Sequence, residues 1–77
     1  MKLYWVSAII FNEGDRKPWL CAMTNGSVSM EAAMDTINRL KNNHNVLSAW
    51  IDTFENNEKQ TVFHECYIDA FGYVTKR

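Results

Sequence analysis

Between Lys2 and Asn12 an extended chain would place Leu3, Trp5, Ile9 and Phe11 on one side and Tyr4, Val6, Ala8 and Ile10 on the other. Both sides are apolar. A strand with one wet side alternates apolar and polar residues. A strand apolar on both sides belongs inside a sheet, covered twice, unless one side is a binding surface. Any fold for this chain must therefore give its first strand two neighbours and account for both of its faces.

The remaining segments supply the neighbours. Asn12 to Pro18 carries turn formers, and Pro18 fits a strand boundary because it cannot donate to a central ladder. Trp19 to Thr24 reads as a shorter second strand closed by the Asn25, Gly26 turn. Ser29 is placed as the N-cap of a helix with Glu31 at its positive end, and Met30, Ala33, Met34, Ile37 and Leu40 recur at helical spacing. The Asn-rich stretch around His44 ends it, because Asn tolerates the left-handed position after a helix. Val46 to Phe54 and Gln60 to Phe71 are strand-like, with Asn56 and Asn57 supplying the positive φ angles of a tight hairpin.

This order, ββαββ, predicts an α+β domain spanning 1–77. Its four antiparallel strands take the spatial order 2-1-3-4, with one helix on one face. The doubly apolar strand then lies in the interior, as its composition requires. Pairing Glu55 with Glu58 in the hairpin would set Ile51 opposite Val62, Trp50 opposite Phe63 and Leu47 opposite Cys66, matching aliphatic with aliphatic and aromatic with aromatic. In that register the helix covers Tyr4, Val6, Ala8, Ile10, Leu47, Ala49, Ile51, Val62, His64, Cys66 and Ile68. The opposite face presents Trp5, Ile9, Phe11, Trp50, Phe54, Phe63 and Tyr67, with Asp52, Glu65 and Asp69 alternating onto it and Asp52 and Glu65 read as solvated positions.

One helix cannot cover two faces, and a chain of this mass can bury only about 63% of its unfolded surface. The aromatic face therefore needs an occupant. Sheet-on-sheet packing in a homodimer is the first expectation, ahead of a folded-back Phe71 to Val74 tail; a foreign protein partner or flat ligand is the functional reading. Net charge argues against nucleic acid. Eight Lys and Arg against nine Asp and Glu leave −1, without the electrostatic attraction to phosphate that dominates such binding. No membrane is expected either, since Val6 to Phe11 falls far short of a span of roughly 20 residues.

Cys21 and Cys66 stand 45 residues apart without metal-type spacing, which reads as two buried free thiols in a reducing compartment. His64 and Cys66 share a strand face and could supply two zinc ligands where four are needed, so no metal and no cofactor are expected. No phosphate-cradling loop or nucleophile-base arrangement can be argued from spacing. The chain is expected to be a small non-enzymatic interaction or regulatory module that self-associates or binds a protein through its aromatic face. The alternative is a small enzyme or ligand-binding protein with a site at a dimer interface around Trp50, Phe63, His64 and Tyr67. A short chain beginning at Met1, with free cysteines and no export signal, points to a bacterial cytoplasmic protein.

Overall fold

A computed structural model describes residues 2–67. It contains β1 (Tyr4–Ile10), β2 (Trp19–Ala22), α1 (Met30–Asn43), β3 (Val46–Glu55) and β4 (Glu58–Cys66). The strands form one sheet in the order β2-β1-β3-β4, with all three neighbouring pairs antiparallel. The ββαββ order and the interior place of the doubly apolar strand are as the sequence predicts. On the helix side Val6, Ala8 and Ile10 of β1 and Val46, Ala49 and Ile51 of β3 meet Ala33 and Ile37 of α1 in a closed core.

Local chemistry explains the element ends. Ser29, extended at φ −146°, accepts the Ala32 N–H on its hydroxyl at 3.1 Å, satisfying one of the first-turn donors that a helix leaves free. Asn56 and Asn57 have φ values of 54° and 65°, the two positive angles that a two-residue hairpin demands. The other end of α1 departs from expectation. No asparagine there takes a left-handed angle; His44 ends the helix in an extended conformation, its N–H closing on the Leu40 carbonyl at 2.8 Å.

Asn12 makes that ending possible. Its Oδ1 accepts the Asn45 N–H at 2.8 Å, which fixes the amide so that Nδ2 donates to His44 Nδ1 at 2.9 Å. The ring then carries its proton on Nε2. Asn45 in turn donates from Nδ2 to the Phe11 carbonyl, and Phe11 donates its N–H to the Asn45 carbonyl, both at 2.9 Å. The end of β1 and the helix-to-β3 connection are thus one hydrogen-bonded unit. Asp15 organises the adjoining loop, accepting on Oδ2 from the Asn12 N–H at 2.8 Å and from the Trp19 indole N–H at 2.9 Å.

The hairpin register corrects the sequence expectation beyond Asp52. Glu55 pairs with Glu58, but the ladder shifts between Ile51 and Asp52: Asp52 faces Thr61 while Ile51 faces Phe63, leaving Val62 as the extra residue of a β-bulge. Trp50 is consequently opposite His64, and Cys66 is opposite Ser48. The shift moves Phe63, Glu65 and Tyr67 to the helix side and His64 and Cys66 to the open side. Burial explains the preference. Tyr67 is 3% exposed beneath the Lys41 ammonium, 4.5 Å from its ring centroid, and Phe63 packs against the core. Two aromatic rings fill the helix side with more apolar area than an imidazole and a thiol would bring.

A second shift between Ile9 and Ile10 sets Ile10 opposite Val46 and leaves Leu47 as the extra residue, so Val46, not Leu47, is in the core. Ile68, Asp69 and the Phe71 to Val74 tail lie outside the described residues.

Asn12→Ala removes two side-chain bonds that join β1 to the α1–β3 connection, and should lower unfolding stability by about 1–3 kcal/mol. Asn42→Ala, at an exposed helix position, should stay within about 0.5 kcal/mol of the parent. Urea denaturation followed by circular dichroism compares the two, and equal midpoints would remove Asn12 from its structural role.

Candidate functional site: the open face of the sheet

Opposite the helix, the strand registers assemble side chains into cross-sheet rows. Leu20, Ile9, Ser48 and Cys66 form one row; Ala22, Ser7, Trp50 and His64 form the next; Trp5, Asp52 and Thr61 form a third, with Phe54 and Lys59 beyond. No element of the described residues packs over them. Leu20 is 57% exposed and Phe54 51%, whereas Trp5, Ile9 and Trp50 are half-buried by their neighbours within the sheet.

Trp5 is seated by a close backbone approach. Its indole meets the Phe54 ring edge-on at 5.3 Å, a favoured aromatic geometry, and its other side rests on Gly26. A β-carbon at Gly26 would lie 2.9 Å from Leu3 Cβ and 3.1 Å from Trp5 Cε2. Just beyond it, Ser27 and Tyr4 exchange backbone hydrogen bonds of 2.7 and 2.9 Å, which hold the segment against β1. The small residue is thus required by contact.

Asp52, expected to be solvated, is only 6% exposed. It lies in register between Trp5 and Thr61, and its Oδ1 accepts the Thr61 hydroxyl at 2.7 Å. A carboxylate enclosed among aromatic side chains needs such a partner, because an unpaired buried charge is costly. The open face therefore shows solvent mostly neutral groups, with Lys59 at its rim.

At the β4 side, the His64 ring meets Trp50 edge-on with centroids 6.1 Å apart, and His64 Nε2 lies 3.9 Å from Cys66 Sγ. The bulge at Val62 brings this trio onto one surface. Cys66 is an exposed free thiol rather than a buried one, while Cys21 is half-buried beside the core. Among the described residues no cluster of three or more potential metal ligands occurs.

Of the residues singled out from sequence, Trp5, Ile9, Trp50 and Phe54 share the open face. Phe11 lies just past β1, tied to Asn45 and 37% exposed. Phe63 and Tyr67 are absent from this face for the reason given above. Leu20, Thr61, His64 and Cys66 are present on it although sequence reasoning did not place them there; alternation within Trp19 to Ala22 would have marked Leu20 once its pairing with Ile9 was known. On the helix side, an open concavity of about 270 Å³ lies between Met23 and the C-terminal turns of α1, lined also by Thr36, Arg39, Asn43 and His44. No helix of the described residues is long and apolar enough to cross a membrane.

Gly26→Ala should destabilise the fold by about 1–3 kcal/mol through overpacking and displace the Trp5 indole, visible as a changed tryptophan emission spectrum. Gly14→Ala meets nothing within 4 Å and should cost only the strain of its +91° φ angle, about 1 kcal/mol, without altering the emission. An unchanged spectrum in Gly26→Ala would remove the seat proposed for Trp5. In comparisons with known protein families, curated proteins and solved structures, the chain matches none.

Proposed function

We propose that the protein is a small interaction module whose open sheet face receives a second copy of the same face, forming a homodimer by sheet-on-sheet packing. The observation that carries this reading is the mixture of large and small residues on one nearly neutral surface. Trp5, Trp50, Phe54, Ile9 and Leu20 stand around Ser7, Ala22 and Ser48, so ridges and a trough coexist on the same patch. A two-fold axis brings the ridges of one copy to the trough of the other, as isologous packing requires. Charge does not oppose it, because among the described residues the carboxylate in the middle of the face, Asp52, is enclosed and hydrogen-bonded to Thr61.

Size sets the expected strength. Four strands about 4.8 Å apart and some seven residues long give a flat footprint of roughly 400 Å² per copy, which the relief of the side chains raises toward the ~800 Å² per partner of a standard interface. The dimer should therefore be reversible, with its stability concentrated in the aromatic residues. A reducing, cytoplasmic setting accompanies this reading, supported by the free thiols of Cys21 and Cys66.

Light scattering across a dilution series tests it. The mass should rise from the 9.0 kDa chain toward about 18 kDa with concentration. Trp50→Ala should raise the dissociation constant about 30-fold, the equivalent of a 2 kcal/mol hot spot. Trp19→Ala, on the helix side against His44, should leave it unchanged. A chain that remains monomeric at millimolar concentration, or two variants with equal effect, would overturn the proposal.

A further inference from the structure

We propose that His64 and Cys66 form half of a zinc site, completed by the same two residues of a second copy. The inference rests on the reading that the open face receives that copy. In a tetrahedral zinc centre, Zn–S near 2.3 Å and Zn–N near 2.05 Å place a sulfur and a nitrogen ligand about 3.6 Å apart. His64 Nε2 and Cys66 Sγ are 3.9 Å apart, on the same side of β4. Closing the remaining gap takes a small rotation of exposed side chains.

The pair is also oriented and reachable. Trp50 meets the imidazole edge-on from the neighbouring strand, with ring centroids 6.1 Å apart. Among the described residues β4 pairs only with β3, so the two ligands stand near the edge of the described sheet and both are exposed. Within one chain the set stops at two, for no third potential ligand joins them among the described residues. Structural zinc takes four protein ligands.

The second copy supplies the missing half at a suitable depth. Packed sheets lie about 10 Å apart, so their midplane is about 5 Å from each backbone, within reach of a cysteine or histidine side chain bound to a shared ion. A two-fold axis in that midplane, crossing the strands at the level of His64 and Cys66, would bring two thiolates and two imidazoles around one metal at the β4 edge, a Cys₂His₂ set suited to zinc. Binding forms two Zn–S and two Zn–N bonds and releases two thiol protons to solvent, leaving every oxidation state unchanged.

The test uses the full chain, reduced and freed of metal with a chelator, then titrated with cobalt as a spectroscopic stand-in and with zinc in competition. Cobalt should saturate at one ion per two chains with the intense charge-transfer band of thiolate ligation. Zinc should abolish that band, and metal should shift the light-scattering mass toward the dimer at concentrations where the chelated chain is monomeric. Cys66→Ser and His64→Gln should each lose the band while keeping the far-ultraviolet circular dichroism of the parent. A dimer that forms equally in chelator and shows no thiolate band overturns the metal site and leaves the sheet-face reading standing. Saturation at one ion per chain, or a band surviving in Cys66→Ser, also overturns the shared site. A metal-linked dimer indifferent to Trp50→Ala supports the zinc site and overturns the packing reading instead. A monomer with and without metal overturns both.

Discussion

Everything in this fold follows from a strand that is apolar on two sides and a single helix among the described residues. β1 takes an interior position because both of its faces lose by contact with water, and β2 and β3 satisfy its two hydrogen-bonding edges. The helix is long enough to close one side of the central strands over Val6, Ala8, Ile10, Ala49 and Ile51. The other side is left with two tryptophans, a phenylalanine, an isoleucine and a leucine in the rows of the open sheet. A small domain has little stability in reserve, so leaving such a face apolar is a cost that the proposed interface would offset.

The polar groups on that face are managed in two ways. Asp52 is enclosed and bonded to Thr61, which removes a charge from the middle of the surface without removing the residue. His64 and Cys66 are left outward, on an edge strand, with an aromatic ring beside them. The first arrangement favours contact with another neutral surface. The second puts the face's most versatile ligand chemistry at its rim, where a partner could share it.

Much of the architecture could be read from residue order alone, because the signals were local and repeated. The apolar faces of β1, the serine cap of α1 and the Asn56, Asn57 turn each act over a few residues, and each formed. The helix terminus was less legible. Its asparagines promised a left-handed stop, yet Asn12, more than thirty residues away, offered His44 and Asn45 better partners. The site was legible only as far as the hairpin register held. From Glu55 to Asp52 strict alternation describes the pairing; beyond it, the bulge at Val62 exchanges the two faces of β4. No residue type announces that bulge. It follows from a competition between two sets of side chains for the core, in which Phe63 and Tyr67 displace His64 and Cys66, and such a competition is decided only once the helix is in place.

The bulge gives this surface a peculiar kind of mutability. In a regular hairpin, changing the chemistry of an exposed face takes a substitution at every second position. Here, closing the ladder without the bulge at Val62 would rotate the rest of β4 by half a repeat, exchanging an imidazole and a thiol for two aromatic rings on the open face, whereas deleting Val62 would keep the present faces while removing the bulge. The strand works like a two-position dial. The presence or absence of one bulge selects which of its two faces meets the outside world.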